Sequence, residues 1–476
     1  MPEKAEIVRK VLSRGYNISP EALKLLAGEE IRSLDSILDR LPDKPVIEIQ
    51  DVVRIIEGVR KADTGIGVGS RGEDGAVSIL HAPRDLGIKG TPEEFVNLIR
   101  TRFERLKSIL ARKSGRDPIP ISSLLGSTAR NGDSILVIGM VMEKRLMRDS
   151  SIRMVLDDET GSIPVIFKRG SRYWDHADRV PVDSVIAVKG VYTNGKIYAD
   201  SFRVPDLDGE LVPPGSGDGK VVFMSDTHIG SRYFNEEAFE RFIRWLNSDS
   251  GREIRYLIIC GDLVDGIGVY PGQEEELKVA DVYRQFELAA RFLERIPRGI
   301  KIVYIPGNHE PVRQAEPQPV VPDEYLDELL SVRDDLMALP NPSMIGIGDV
   351  RVLIYHGRSL NTIFKHIPGL QPIRPETVVE AMIWMLRLRH LAPIYGEHPI
   401  SPEGEDWLLL NTVPHVLHTG HIHVYGVGGY KGVKLINSGT FENETPYIKS
   451  LGIEVTVGRV PILDLASLEV EVKEFV

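Results

Sequence analysis

The chain has 476 residues, 42% hydrophobic and 27% charged, and a formal net charge of −11. That length exceeds one ordinary core and implies two or more globular domains, while the acidic balance excludes general attraction to nucleic acid and requires local basic patches for any such binding. The single cysteine, Cys260, excludes an internal disulfide; with no apolar secretion signal in MPEKAEIVRK and no bilayer-length apolar run, a cytoplasmic chain with no membrane partner is expected.

Residues 1–60 are expected to be helical. In NISPEALKLLAG, Ser19 is placed to cap a helix, Pro20 takes its first position and Gly28 its end, and IEIQDVVRIIEGVRK continues with helical spacing. The glycine-rich ADTGIGVGSRGEDG marks 61–91 as a linker. PEEFVNLIRTRFERLKSILARK makes 92–116 an amphipathic helix, and its Arg100, Arg102, Arg105, Lys107, Arg112 and Lys113 read as a solvated face before they read as a nucleic-acid site. Over 117–207 the texture turns to short β-rich runs, ILVIGMVMEKR, SIRMVLDD, SIPVIF and SVIAVKGVY, and Asn194-Gly195 marks a hairpin. About five strands in roughly ninety residues resemble an OB-fold barrel, a fold that binds single-stranded nucleic acid or protein. Tyr173 and Trp174 are candidates to stack on bases, with core or partner packing the plainer expectation.

DLDGELVPPGSGDGK gives a second linker at 208–219. From 220 to 476, short apolar runs end in polar residues, with helical segments between the first three, which predicts a layered α/β domain. Polar residues at the carboxyl ends of such strands gather along one sheet edge. Five strand-end motifs occur in order: SDTHIG with Asp226 and His228, CGDLVDG with Asp262 and Asp265, GNHE with Asn308 and His309, YHG with His356, and TGHIH with His421 and His423. The i, i+2 spacing of Asp-Thr-His and His-Ile-His turns both side chains of each pair to one side of an extended segment. Such a mix of nitrogen and oxygen donors suits Mn²⁺, Fe²⁺ or Zn²⁺. One carboxylate can bridge two ions, and ions roughly 3.5–4 Å apart clamp the attacking and leaving oxygens of a phosphoryl transfer. Any one motif alone reads as a turn; their order and shared position at strand ends point to a metal site.

At these residues the sequence resembles the calcineurin-like metallophosphoesterases, whose pattern is D-x-H, G-D-x-x-D, G-N-H-[DE], a middle His and G-H-x-H, over roughly 220–440. The resemblance implies two divalent ions, foremost Mn²⁺ with Fe²⁺, Zn²⁺ or Mg²⁺ as alternatives. One would be held by Asp226, His228, Asp262 and His423, the other by Asp262, Asn308, His356 and His421. His309 would be the catalytic residue, facing the phosphate or protonating the leaving oxygen. Gly266 stands where the superfamily's protein phosphatases carry an Arg, which turns the reading from that branch.

The order helical region, barrel, phosphoesterase domain resembles the small subunit of archaeal family D DNA polymerases. The blocks FVNLIRTRFERL, LRLRHLAPIYGEHPISPEGEDWL, VPHVLHTGHIHVYG and LINSGTFENETPYIKSLG are similar to that family's. That resemblance implies a proofreading 3′–5′ exonuclease acting on single-stranded or primer-template DNA beside a large catalytic subunit. Arg387, Arg389 and His390 would be candidates for the DNA backbone. His415 stands where the family is expected to carry an Asp, so a group behind a ligand would differ here. Two other readings stay open: a non-catalytic scaffold, and a stand-alone phosphatase or phosphodiesterase.

Overall fold

The computed structural model describes residues 77–126, 129–209, 211 and 217–476, together with two-residue strands at Asn17–Ile18 and Val46–Ile47. Apart from those two strands, the expected helical region 1–60 and the expected linker up to residue 76 lie outside the described residues. So do Glu210 and residues 212–216 of the second expected linker. The chain divides into a unit of residues 1–79 and a unit of residues 80–476. Val77–His81, within the stretch that composition marks as linker, is a strand; its Val and Ile favour extended backbone over the flexibility of the preceding glycines.

A helix, α1, spans Pro92–Ser114. Thr91 caps it through a reciprocal pair of hydrogen bonds with Glu94, and Gly115 ends it in the left-handed conformation at φ 63°. Five strands follow: β1 (Ser134–Leu146), β2 (Ile152–Asp157), β3 (Ser162–Phe167), β4 (Val185–Thr193) and β5 (Lys196–Arg203). They close into a barrel in the order β1-β2-β3-β5-β4. Asn194 and Gly195, at φ 48° and 75°, make the tight turn between β4 and β5. Val137, Met154, Val165, Phe167, Val188 and Ile197 fill the interior. The helix α1 lays Phe103, Leu106 and Leu110 against the outer side of β1 and β4.

Arg100, Arg105 and Arg112 are exposed, as expected of a solvated basic face, but Arg102 is not. It falls on the same side of α1 as Leu98 and Leu106, and only 1% of it is exposed. Its Nε donates to Asp406 Oδ2 at 2.7 Å, and His390 Nε2 lies 3.0 Å from that same oxygen. Arg389, also buried, donates through Nε to the Asp206 carbonyl at 2.7 Å. Two of the three residues offered for DNA contact in RLRH are therefore inside the protein, with only Arg387 half-buried. Trp174 likewise turns inward, donating to the Ser150 carbonyl at 2.8 Å.

Beyond the barrel lie two facing sheets. The first has β6 (Lys220–Met224), β7 (Ile254–Cys260), β8 (Lys301–Ile305) and β9 (Met337–Ala338) mutually parallel, in the order β9-β8-β7-β6. The second contains, in chain order, β10 (Ser343–Ile347), β11 (Val350–Ile354), β12 (Val416–Thr419), β13 (Gly426–Tyr430) and β14 (Val433–Asn437), ordered β13-β14-β12-β11-β10. An antiparallel pair, β15 (Arg459–Asp464) and β16 (Val470–Glu474), extends the first sheet beside β6.

Alternation along the strands sets the layers. Val222, Met224, Leu257, Ile259 and Ile302 pack with Phe239, Phe242, Phe286 and Leu293 of the helices Glu236–Leu246 and Val282–Glu294. The alternate residues face the other sheet: the Phe223 ring meets the His418 ring at 4.8 Å between centroids. Helices Leu360–His366 and Pro375–Leu388 cover the far side of the second sheet through Ile363, Ala381, Met382 and Met385, packed with Leu417 and Leu435.

Burial pushes the Asp406 carboxyl up, but Arg102 and His390 outweigh it and hold it well below the ordinary carboxylate range. Asp406→Ala, which strands the Arg102 charge, is expected to destabilise the protein by about 3–5 kcal/mol, seen as a lower urea midpoint. The folded pKa lies below the unfolded one, so this contribution is full above about pH 4 and fades in stronger acid, where the two midpoints should converge.

Candidate metal centre

The parallel strands of both sheets end at one place. After β6 comes Asp226, after β7 Asp262, after β8 Asn308 and His309, after β11 His356, and after β12 His421 and His423. Each chain turns sharply as it leaves its strand. Asp226, His228, Asp262, His421 and His423 all take positive φ, between 50° and 70°. Left-handed backbone at residues with a Cβ costs on the order of 1–3 kcal/mol each and concentrates at functional sites. Glycine permits the close approach of the strand ends: a Cβ on Gly307 would stand 2.2 Å from Asp262 Oδ1, and one on Gly261 2.6 Å from the Gly307 nitrogen.

The side chains converge. His228 Nε2 and His423 Nε2 are 3.1 Å apart, and Asp226 Oδ1 is 3.5 Å from His423 Nε2. Asp262 Oδ1 accepts the His309 N–H at 2.9 Å. Its other oxygen, Oδ2, lies 3.9 Å from His228 Nε2 and 3.2 Å from His356 Nε2, so it faces both groups of imidazoles. Asn308 Oδ1 is 3.1 Å from His356 Nε2. Asp226, His228 and His423 form one set of mutually close donors, and Asp262, His356 and His421 another. All except His421 are buried, and the Asp226 carboxylate also accepts the His421 N–H, at 2.9 Å.

Burial opposes charge on Asp226, His228, Asp262, His356 and His421, and the charges around each decide which of them keep it. Against that burial, the carboxylates of Glu442, Asp265 and Asp262 raise His228 well above the ordinary imidazole range, and Asp262 raises His356 to about 10. His356 and His309 in turn hold Asp262 well below the carboxylate range, again against burial. His421 moves the other way, driven far down by burial and by His356. Buried carboxylates that draw protons onto neighbouring imidazoles lack positive charge, and a divalent cation supplies it while releasing those protons. The donor set therefore fits metal ions.

The family of B subunits of DNA polymerases alpha and epsilon matches residues 221–425. The DNA polymerase II small subunit of Methanothermobacter thermautotrophicus is 40% identical over 78% of this chain and 77% of its own. That of Archaeoglobus fulgidus is 34% identical over 96% of this chain and 95% of its own. The chain belongs to the archaeal DNA polymerase II small subunit family. A solved archaeal phosphodiesterase aligns with 53% of this chain and 98% of its own at 14% identity and a TM-score of 0.28, a likeness too slight to bear on the function.

Several residues that organise the cluster carry no strong signal in the sequence. Asp265, the second acid of CGDLVDG, is 2% exposed, and its Oδ1 lies 3.0 Å from His228 Nδ1. Glu310, the last residue of GNHE, accepts the backbone N–H groups of Asp262, Leu263 and Gly307 at 3.0, 2.7 and 2.7 Å and the Tyr304 hydroxyl at 2.8 Å. Burial and the Asp262 charge push its carboxyl up to about 7. Gln285, from the helix Val282–Glu294, accepts the Gly266 N–H at 2.8 Å and so pins the loop that carries Asp265. His415 precedes β12, at the opposite end of that strand from His421. Its Nδ1 accepts the Arg351 N–H at 2.9 Å, so the expected place behind a ligand is not where it sits. His418 is buried between the sheets.

A cation that binds this cluster stabilises the fold by about 2.7 kcal/mol at a hundredfold excess over its Kd. Mn²⁺ is expected to raise the unfolding temperature of the wild type and to leave that of Asp262→Asn unchanged, as read by scanning calorimetry. Glu310→Ala, which strands three buried N–H groups, is expected to lower the urea midpoint by the equivalent of at least about 3 kcal/mol.

Proposed function

We propose that this chain is the 3′–5′ exonuclease and proofreading subunit of a DNA polymerase, a metallophosphoesterase that hydrolyses the terminal phosphodiester of a DNA strand and supports a large catalytic subunit. The observation that carries the reading is the convergence, in a chain of this family, of Asp226, His228, Asp262, Asn308, His356, His421 and His423 at the ends of two facing sheets. In this reading Asp226, His228, Asp262 and His423 would hold one divalent ion, and Asp262, Asn308, His356 and His421 would hold the second. Mn²⁺ suits these donors. Asp265 fixes the His228 ring by accepting its Nδ1–H. The barrel is taken as an OB-fold over 117–207 and the phosphoesterase domain as 220–476. The family's name as a small subunit supports a large partner, and a cytoplasmic setting follows from that role. Among the described residues, no helix is long and apolar enough to cross a membrane.

The chemistry follows from what each residue can do. When bound, a divalent pair offsets the negative charge of a phosphodiester and lowers the pKa of a water molecule. The water oxygen gives up a proton to solvent and bonds to phosphorus as the bond to the 3′ oxygen breaks and that oxygen takes a proton, releasing a nucleoside 5′-monophosphate and a strand with a new 3′ hydroxyl. His309 Nδ1 lies 2.7 Å from the Asp265 carbonyl and donates to it, which fixes the ring and leaves Nε2 for the substrate. A proton on Nε2 can then bond the phosphate or pass to the leaving 3′ oxygen. Asn308, adjacent in sequence, keeps its amide oxygen toward His356.

The test is a 5′-labelled single strand incubated with purified protein and Mn²⁺. Stepwise shortening is expected, reduced by about 10²- to 10⁴-fold in His309→Ala. Bound metal with no turnover, alone or with the large subunit, would sink this reading and leave the scaffold. Cleavage of a small phosphomonoester but not of DNA would instead establish a stand-alone phosphatase.

A further inference from the structure

The cleft over the cluster, about 710 Å³, is lined in two chemistries. Beside His421 it is polar: Asn361 Nδ2 lies 2.8 Å from His421 Nε2, and Arg358, which donates to the Gln314 carbonyl at 2.8 Å, has no carboxylate in ion-pair range among the described residues. Beside His309 the lining is aromatic and apolar. The Tyr270 ring stands 6.2 Å from the His309 ring and 6.4 Å from the Tyr447 ring, the two tyrosines inclined by only 20°. Tyr270 is held by its hydroxyl, which donates to Glu276 Oε2 at 3.0 Å. Tyr447 rides on the one-turn helix Pro446–Ser450 and is 60% exposed, with Leu451 beside it 53% exposed.

Folding gives no reason to leave these side chains in water. Large apolar groups gathered at the mouth of a polar cleft mark a ligand surface. Two near-parallel rings with centroids at 6.4 Å stand toward the wide end of direct stacking. We infer that Tyr447, backed by Tyr270, is a base-stacking subsite that takes a nucleobase flanking the scissile phosphodiester. The inference rests on the exonuclease reading for the identity of the strand, but it assigns residues and a ligand part that the metal cluster does not.

The consequence is selectivity. A base in a duplex already stacks and pairs, and occupying this subsite means taking it out of the helix, which is cheapest for a frayed or mispaired end. Stacking on an aromatic side chain accepts any base, because each has a π-face. The subsite therefore discriminates by pairing state and not by base identity.

The test reads binding without catalysis. With metal removed by EDTA, the full chain is titrated with 5′-labelled oligothymidylate and with the same strand carrying an abasic residue at the last or the penultimate position. The wild type is expected to bind the intact strand about tenfold tighter than one of the two abasic strands. Tyr447→Phe should keep that preference and Tyr447→Ala should lose it; Tyr447 is exposed, so neither substitution disturbs the core. Equal affinity of the wild type for all three strands, or a preference untouched in Tyr447→Ala, would overturn the inference. Adding Mn²⁺ separates the two proposals: a base preference without cleavage keeps the subsite and refutes the nuclease, and cleavage without a base preference does the reverse.

Discussion

Four donors converge on the carboxylate of Glu310, and the cluster depends on them. The N–H groups of Asp262 and Leu263 belong to the loop after β7, and that of Gly307 to the loop after β8. One buried side chain thus ties together the two strand ends that present Asp262 and Asn308. Backbone N–H groups leaving a parallel strand have no sheet partner, and buried without one each costs free energy. Glu310 satisfies three at once. In doing so it sets where Asp262 stands, with one oxygen turned to the His309 N–H and the other toward His228 and His356.

The same crowding explains the glycines of CGD and PGN. Gly261 and Gly307 approach so closely that a methyl group on either would collide with the other loop or with Asp262. Compression and left-handed backbone are tolerated because both sheets are anchored by large apolar cores on their outer sides. The strands that launch the strained loops are buried where they end, at Met224, Cys260 and Thr419. Rigid support of this kind places five imidazoles within reach of three carboxylates, an arrangement that burial alone would drive apart.

Charge is handled differently away from the cluster. Arg102, Asp406 and His390 form a buried triad that joins α1 to the loop beyond the second sheet, with its charges balanced internally. At the cluster the balance is incomplete, and protons are drawn onto His228 and His356. That contrast separates an ion pair that holds a fold together from a cluster whose donors could hold a cation.

The strand-end residues were legible in the sequence because apolar runs that stop at Asp, Asn or His leave a strong linear trace. The i, i+2 pairs do not lie on extended chain as their spacing predicts: Asp226, His228, His421 and His423 stand on left-handed backbone past the strand ends, so the turns and not the strand period bring them together. Like the strand ends, the Asn194-Gly195 turn and the α1 period were legible locally. The depth of Arg102 and Arg389, the grip of Asp265 on His228, the four bonds to Glu310 and the pairing of Tyr270 with Tyr447 were not. Each depends on what a polar or aromatic side chain meets across hundreds of residues or across a loop, and composition carries no trace of that. Residue order was enough to say which side chains end the strands. Which of them share a proton, a backbone N–H or an open cleft was settled only in three dimensions, because burial and distance arise when the two sheets come face to face.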